Sequence, residues 1–270
     1  MKDPDSARGG TPPAGQPSAD SAGLAWSGRT LTSTGFEGDL GAADPALLAV
    51  LDDPGDETLL MQAVAQARLL VPIVAVPPEA DHLHERPDEP TAGESAPSTR
   101  TGSGATDMAV MILTASDGRR AFPVFSSLAA LSAWDATARP FPVGSFRAAQ
   151  GAVSEGCDVM LLDCGSARER VLRPSMVWAL AQQRDWLPAY LDPFVAQALV
   201  WATCDEDDVT GCVGQDDPAE PGTLRVVLSL RPGLDAGRVQ SLATRIGERI
   251  ATDGEARARI DALSFTIRQA

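Results

Sequence analysis

The sequence predicts an α+β or α/β protein, in which an N-terminal mixed-sheet domain with flanking helices precedes a small C-terminal β-β-α-β domain. Short β-branched apolar runs, such as LLVPIVAVP at 69–77, alternate with stretches whose apolar residues recur at helical spacing. This alternation is typical of sheets covered by helices. A chain of 270 residues with 44% hydrophobic residues can fill one large core or two small ones. We therefore expect two domains, at 44–183 and 184–270.

Three polar segments are expected to lie outside the packed cores. Residues 1–43 are rich in Gly, Ser, Thr, Pro and Asp and cannot bury enough surface to offset the entropy of ordering, which predicts a disordered tail. Residues 78–106, rich in Pro, Glu, Ser and Thr, predict a mobile insertion within the first domain. Residues 203–222 are rich in Asp and Glu and predict an acidic loop in the second domain.

The first domain opens with two short helices, because Asp44 and Asp56 each stand as a capping residue before apolar residues at helical spacing. The strand at 69–77 follows. Pro72 indicates that this strand is an edge strand, carries a bulge or starts near Pro72, since proline cannot donate a hydrogen bond to a sheet. Ser116–Arg119 predicts a hairpin turn. Further strands are expected at 108–115, 120–125, 140–143, 157–163 and 171–172, and further helices from Leu128, at 146–155 and from Pro174.

Two adjacent serines, Ser126 and Ser127, stand where the apolar spacing changes from strand to helix. A helix that begins near Leu128 leaves its first backbone N–H groups without partners. A serine hydroxyl just before it can accept from one of them, which is worth about 1 kcal/mol. A catalytic serine on a nucleophile elbow would need a G-x-S-x-G pattern, and none is present here. We therefore predict that Ser126 or Ser127 is a helix cap.

In the second domain, FVAQALVWA at 194–202 fits either a strand or a short helix. We predict a strand, because TLRVVLSL at 223–230 has the pattern of a hairpin partner. A helix with one apolar face is expected from Asp235, followed by a last strand at 263–267. The order β-β-α-β predicts one sheet with a helix on one face.

The chain is strongly acidic, with 37 Asp and Glu residues against 22 Lys and Arg residues and a net charge of −15. This charge disfavours nucleic acids and anionic membranes as partners. Lys2 is the only lysine, and heavy use of Ala, Gly, Asp and Arg with almost no lysine is typical of a GC-rich bacterial genome. Salt adaptation is the second explanation for the acidic bias. Residues 1–16 lack the apolar region of a signal peptide, and the apolar stretch at 69–78 is too short to span a bilayer. We expect a cytoplasmic protein.

The sequence contains no pattern typical of a catalytic or cofactor-binding site. No G-x-G-x-x-G opens a helix after a strand, and no G-K-[ST] occurs. Asp205–Asp208 lacks the alternating ligands of a calcium loop and fits a solvated loop better. The four cysteines include no C-x-x-C pair, and Cys157 and Cys164 fit small buried side chains better than a zinc site. We expect no cofactor, no metal and no enzymatic activity.

Five residues form a candidate surface for a ligand or a partner. Asp163 lies at the end of a predicted strand, where α/β sites often occur, although an Asp-Cys-Gly sequence also fits a plain turn. Arg168, Arg170 and Arg173 surround the next hairpin and could hold an anion or a partner's carboxylate, or they could be ordinary exposed side chains. Trp178 follows on the next predicted helix.

Several stretches together resemble the N-terminal domain of bacterial SseB-family proteins: LLVPIVAV, MAVMILTA and GRRAFPVFSSLAALSAW. The family hallmark is a strand, a Val-Phe-[ST]-Ser turn, and a helix with Ala-Leu and then Trp. It is matched here by Val124–Ser127, Ala130-Leu131 and Trp134. CDVMLLD at 157–163 is similar to a later family strand, which runs into an Asn-Pro-Gly-like turn. Asp163-Cys164-Gly165 departs from that turn.

The resemblance covers the first domain, and the segment after it is similar to the C-terminal domain of many family members. It implies a bacterial, actinobacterial protein with an α/β module and no assigned catalytic residues. We therefore expect a non-enzymatic binding or regulatory protein whose partner is another protein, with acidic loops that favour basic partners. The alternative is a small-ligand binder or an enzyme of unspecified type that uses an inter-domain cleft with Asp163, Arg168 and Trp178. The oligomeric state is not predicted.

Overall fold

The computed structural model describes residues 36, 38–53, 55–76, 107–116 and 118–269. The mobile insertion predicted at 78–106 and most of the disordered tail predicted at 1–43 lie outside these residues. The tail prediction is wrong for residues 38–43, because Arg68 pairs with Asp39 at 2.6 Å and the Leu128 N–H donates to the Gly41 carbonyl at 2.8 Å. Gly38–Ala270 forms one compact unit. The described helices are α1 (Pro45–Asp52), α2 (Glu57–Gln66), α3 (Leu128–Trp134), α4 (Ser145–Ser154), α5 (Pro174–Ala181), α6 (Pro193–Thr203), α7 (Ala236–Thr252) and α8 (Gly254–Arg257).

The described strands are β1 (Arg68–Val76), β2 (Asp107–Val110), β3 (Leu113–Thr114), β4 (Arg120–Val124), β5 (Arg139–Gly144), β6 (Val159–Leu162), β7 (Arg170–Leu172), β8 (Val209–Asp216), β9 (Thr223–Leu230) and β10 (Ala262–Gln269). They form sheets in the orders β2-β1-β5, β3-β4-β6-β7 and β10-β9-β8. In the second sheet β4 and β6 are parallel, and in the third β9 and β10 are parallel. The structure thus confirms a mixed α+β fold with β8-β9-α7-β10 at its C-terminal end, where the short α8 precedes β10.

Local capping signals place the first two helices where the sequence predicts them. The Asp44 carboxylate accepts from the backbone N–H groups of Ala46 and Leu47, and Pro45 occupies the first turn. Asp56 accepts in the same way at the start of α2. Proline at the first helical position loses no hydrogen bond, because that N–H has no partner within the helix.

Pro72 corrects one prediction, because it lies in the middle of the central strand of its sheet and not at an edge, a bulge or the strand's start. β1 pairs with β5 so that Pro72 faces Pro140. The Pro72 carbonyl accepts from the N–H of Met111, one residue beyond the end of β2. The missing N–H of Pro72 therefore lies where the pairing of β1 with β2 ends. The sheet loses few hydrogen bonds as a result. Met111 and Ile112 also divide the strand predicted at 108–115 into β2 and β3.

The strand predicted at 194–202 is wrong, because this segment is helix α6. The Asp192 carboxylate accepts from the N–H of Phe194, and Pro193 stands in the first turn. The hairpin partner of β9 is β8, which lies inside the acidic loop predicted at 203–222. The residues of α6 that are buried recur at helical spacing, and they are Val195, Ala198, Leu199 and Ala202.

Two large apolar clusters form the interior. The first joins α1, α2, α4 and α5 to the first two sheets, with Leu69, Met160 and Met176 among its fully buried side chains. The second packs α6 and α7 on the sheet β10-β9-β8, with Leu228 and Ile246 at its centre. A third, small cluster contains Phe125, whose backbone bonds to Leu70 in β1. None of the described helices is long and apolar enough to cross a membrane.

Candidate functional site

Asp163 and Ser126 meet because they follow two adjacent parallel strands, β6 and β4. Their strands end at the same sheet edge, so residues 37 positions apart in the chain come into contact. The Asp163 carboxylate accepts from the Ser126 N–H and from the Ser126 hydroxyl, each at 2.7 Å. Asp163 is 2% exposed, and its φ of 51° lies in the left-handed region that glycine favours. A buried side chain and a positive φ are both typical of a turn whose conformation is fixed by the surrounding structure.

The two serines therefore have different roles. The Ser127 hydroxyl accepts from the Ala130 N–H at 3.1 Å and caps α3. Ser126 is not a cap, because its hydroxyl donates to Asp163. The predicted choice between the two caps is thus resolved in favour of Ser127, and Ser126 instead joins β4 to the turn after β6.

Three of the five candidate surface residues, Asp163, Arg168 and Arg170, line one cavity of about 490 Å³ beside α1. Arg168 binds the Asp52 carboxylate through two nitrogens, at 2.6 and 3.2 Å, and this hydrogen bond lowers the pKa of Asp52. Arg170 donates to the carbonyl of Leu51 at 2.8 Å. Both guanidinium groups therefore bind the end of α1, where the helix leaves carbonyls without partners.

Arg173 lies apart from that cavity and connects the two core regions. Its Nε donates to Asp261 at 2.9 Å and its Nη2 donates to Glu57 at 2.8 Å. These acceptors, the Glu57 carboxylate first, raise the pKa of the guanidinium above its ordinary value. The backbone and hydroxyl of Ser175 also donate to Asp261. Trp178, the fifth candidate, lies on α5, is 41% exposed and is not one of the residues that line the cavity beside Asp163.

A further cavity of about 570 Å³ is lined by Arg173 and lies between the two core regions. Arg259 lines it and is only 8% exposed. Its Nε lies 3.3 Å from the Asp192 carboxylate but has no hydrogen-bond partner of adequate geometry among the described residues. The cavity is also lined by aromatic and acidic side chains, including Trp186, Tyr190, Asp216 and Asp217.

A second feature, which the sequence analysis missed, is an apolar groove on α6. Phe194 and Trp201 are 59% and 58% exposed and lie two helical turns apart on the same face. Between them the buried side chains of Ala198 and Ala256 form the floor. We call this the α6 groove; its volume is about 490 Å³, and it is lined by Phe194, Gln197, Ala198, Trp201, Thr252, Asp253, Glu255 and Ala256.

Charged groups surround the α6 groove. Asp253 caps α8 and Glu255 stands on its first turn, so both carboxylates lie at the groove's rim. The guanidinium of Arg259 contacts Glu255 and lies 4.5 Å from the centre of the Phe194 ring. None of the described residues that line the groove is basic.

The acidic stretch after α6 is partly neutralised. Glu206 binds Arg245 at 2.7 Å and Arg249 at 3.3 Å, and the hydrogen bond from Arg245 lowers the pKa of Glu206. Asp208 binds Arg238 at 2.7 Å. Asp205 and Asp207 are exposed at the end of α6 and add negative charge there.

The cysteines of the described chain are free thiols. Burial raises the pKa of Cys212 to about 11, and burial also raises the pKa values of Cys157 and Cys164. A thiol whose pKa is raised stays protonated at neutral pH and is a weak nucleophile. Within the described ranges, no three His, Cys, Asp or Glu side chains form a group suited to a metal ion.

A family model described as the SseB protein N-terminal domain matches residues 45–179, which is half of the chain. The matched range contains the cavity beside Asp163 and ends within α5, whereas the α6 groove lies outside it. No curated protein and no solved structure matches the chain.

Proposed function

The chain belongs to the SseB family, and from this premise we propose that it is a non-enzymatic binding or regulatory protein that acts by contacting another protein. The observation that carries this proposal is the α6 groove. It exposes two aromatic rings on one helix face, beside a floor of small residues. Exposed aromatic side chains around a pocket are typical of the residues that dominate protein–protein binding energy.

The bonding of the polar residues supports a role without catalysis. The Asp163 carboxylate accepts hydrogen bonds from Ser126, and Arg168 donates to Asp52. Arg173 donates to Glu57 and Asp261. Each of these groups joins two segments of the chain. A catalytic group would need to reach a substrate, and the raised pKa of the buried thiols does not favour nucleophilic attack.

We further propose that residues 184–270 form the C-terminal domain found in many family members, and that the protein works in the cytoplasm of an actinobacterium. The second apolar core supports the first point, because it contains only residues from Ala189 onward and therefore lies beyond the matched range. The near absence of lysine supports the actinobacterial source, because it is typical of a GC-rich bacterial genome.

Co-purification with a groove variant tests the proposed function. The doubly substituted protein Phe194→Ala/Trp201→Ala removes both exposed rings while leaving the core intact, and Trp178→Ala is the matched control for an exposed aromatic elsewhere. We expect a protein that co-purifies from native lysate with the wild type and with Trp178→Ala and is lost with the double variant. An identical set of proteins with all three would contradict the proposal.

A second candidate function, a small-ligand site, is favoured by the 570 Å³ cavity next to Arg173 and by the buried Arg259 Nε that lacks a hydrogen-bond partner there. The residues expected at such a cleft were Asp163, Arg168 and Trp178, and none of them lines this cavity. Thermal-shift screening against amino acids and nucleotides tests this candidate. A ligand present at 100 times its Kd would add about 2.7 kcal/mol to the apparent stability. A flat response across the screen would count against it.

A further inference from the structure

We propose that the segment bound in the α6 groove is a positively charged, apolar stretch of the partner, in which an aliphatic or aromatic side chain is flanked by Arg or Lys. This inference rests on the proposed function and specifies the chemistry of the partner. It follows from three properties of the groove, which are its shape, the charge of its rim and the contact that Arg259 already makes there.

The shape of the groove fits one large apolar side chain. Ala198 and Ala256 lie on the floor, and their methyl groups leave open the space between the rings of Phe194 and Trp201. A flat aromatic or branched aliphatic group placed there would contact both rings and exclude water from them. This arrangement of an apolar anchor within a ring of polar residues is common in protein interfaces.

The rim of the groove requires positive charge beside that anchor. Asp253 and Glu255 are the charged residues among those that line it. Arg259 contacts Glu255 but is itself 8% exposed, so it offers an incoming segment almost no positive surface. Asp205 and Asp207 are also exposed at the end of α6, on either side of Glu206, which is paired with Arg245 and Arg249. Opposite charges at a rim raise the rate of association and exclude partners of like charge.

Arg259 shows that a guanidinium group is accommodated against the Phe194 ring. It lies 4.5 Å from the centre of the Phe194 ring. A cation over an aromatic face is attracted by the charge distribution of the ring. An arginine of the partner can make the same contact with the exposed Trp201 ring while it pairs with an acidic residue of the rim.

A second copy of the chain is a poor occupant. The chain carries a net charge of −15, and two grooves that met across a symmetric interface would bring Asp253 and Glu255 of each copy together. Like charges across an interface oppose binding. The groove therefore favours a different protein with a basic apolar segment.

Fluorescence anisotropy with two synthetic peptides tests the proposal. Each peptide has about 15 residues and the same apolar helix face, long enough for an isolated helix to be marginally populated. One carries Arg and Lys on its polar face and the other carries Glu at the same positions. We expect the full chain to bind the basic peptide at least roughly tenfold more tightly than the acidic one, with binding that weakens as salt screens the rim.

Two sets of variants make the test specific. Phe194→Ala/Trp201→Ala is expected to abolish binding of the basic peptide. Asp253→Asn/Glu255→Gln is expected to weaken it several-fold and to flatten its salt dependence, and asparagine keeps the capping acceptor of α8. Glu220→Gln/Glu248→Gln removes the same charge from exposed positions outside the groove and is expected to bind as the wild type does. Thermal melts confirm that each variant is folded.

Three peptide-binding results would overturn the inference. They are equal affinity for the two peptides, full affinity of Asp253→Asn/Glu255→Gln for the basic peptide, and a loss of affinity in Glu220→Gln/Glu248→Gln as large as that in Asp253→Asn/Glu255→Gln. The last result would show a response to net charge alone. A groove-dependent dimer in sedimentation experiments would also overturn it. If a lysate protein is lost with Phe194→Ala/Trp201→Ala while the peptides show no preference for charge, the proposed function stands and this inference fails.

Discussion

At the scale of single residues, the chain uses buried polar groups to join distant segments. Asp163 accepts both hydrogen bonds that Ser126 can offer, and it does so in a left-handed backbone conformation. Local patterns cannot reveal this pairing, because the two residues are 37 positions apart. The sequence did indicate Ser127 as a capping residue, because a cap depends only on the next few residues.

We predict that Ser126→Ala lowers the free energy of unfolding more than Ser127→Ala. Loss of the Ser126 hydroxyl leaves a buried carboxylate with an unpaired oxygen, which costs about 1–3 kcal/mol. Loss of the Ser127 cap costs about 1 kcal/mol. Urea denaturation measures both, and Ser166→Ala, which removes an exposed hydroxyl that accepts from the Arg168 N–H, is the control for loss of an exposed hydrogen bond. A larger loss with Ser127→Ala would show that the bond to Asp163 contributes little.

At the scale of secondary-structure elements, local signals mark most helix starts, including the Asp192-Pro193 pair before α6, but the apolar pattern within α6 does not indicate a helix. The caps at Asp44, Asp56 and Asp235 lie beside their helices and were read directly from the sequence. In α6 the exposed Phe194 and Trp201 add apolar residues to the solvent side, so the segment has no clear helical period. The aromatic residues that form the groove are thus the ones that obscured the helix.

We predict that two substitutions in α6 change the free energy of unfolding by very different amounts. Leu199 and Trp201 would face the same side of a strand but lie on different faces of a helix. Leu199→Ala is expected to cost about 2–5 kcal/mol because Leu199 is buried, and Trp201→Ala is expected to stay within about 0.5 kcal/mol of the wild type. Chemical denaturation measures both variants. Equal losses would contradict the helical assignment.

Cys212, in strand β8, makes the free energy of unfolding depend on pH above about pH 9. The pKa of Cys212 is raised by burial from 9.0 to about 11, so the folded state holds the thiol proton more strongly than the unfolded state does. The stabilisation is complete below about pH 9 and is lost as the pH rises towards 11. We predict that Cys212→Val flattens the decline in unfolding free energy between these pH values. Cys157 and Cys164 have raised pKa values in both proteins, so the difference between the two curves isolates Cys212. Parallel curves would contradict this prediction.

At the scale of the whole molecule, a polar junction around Arg173 connects the two apolar cores. The guanidinium is held by Glu57 of α2 and by Asp261 before β10, and Gly222 packs directly against it. Composition predicted the acidic surface and the two core regions, whereas this junction depends on residues far apart in the chain. The sequence suggested Arg173 as a contact for a ligand or partner, whereas its hydrogen bonds are to Glu57 and Asp261.

We predict that Gly222→Ala destabilises the protein more than Gly233→Ala. Both glycines have a positive φ, so alanine is strained at either position and costs about 1 kcal/mol. A Cβ at position 222 would lie 2.5 Å from the Arg173 Nε, whereas nothing lies within 4 Å of a Cβ at position 233. The difference in unfolding free energy between the two variants, measured by thermal or urea unfolding, reports how closely Gly222 packs against Arg173. Equal losses would show that Arg173 moves aside without cost.

Photo-crosslinking from the α6 groove tests the central claim most directly. A benzophenone amino acid in place of Gln197 lies within the groove, and the same group in place of Trp178 is exposed on α5 outside it. The account predicts that illumination in cells links position 197, and not position 178, to one discrete protein whose crosslinked peptide is basic and apolar. The absence of any specific adduct at position 197, or the same adducts at both positions, would contradict it.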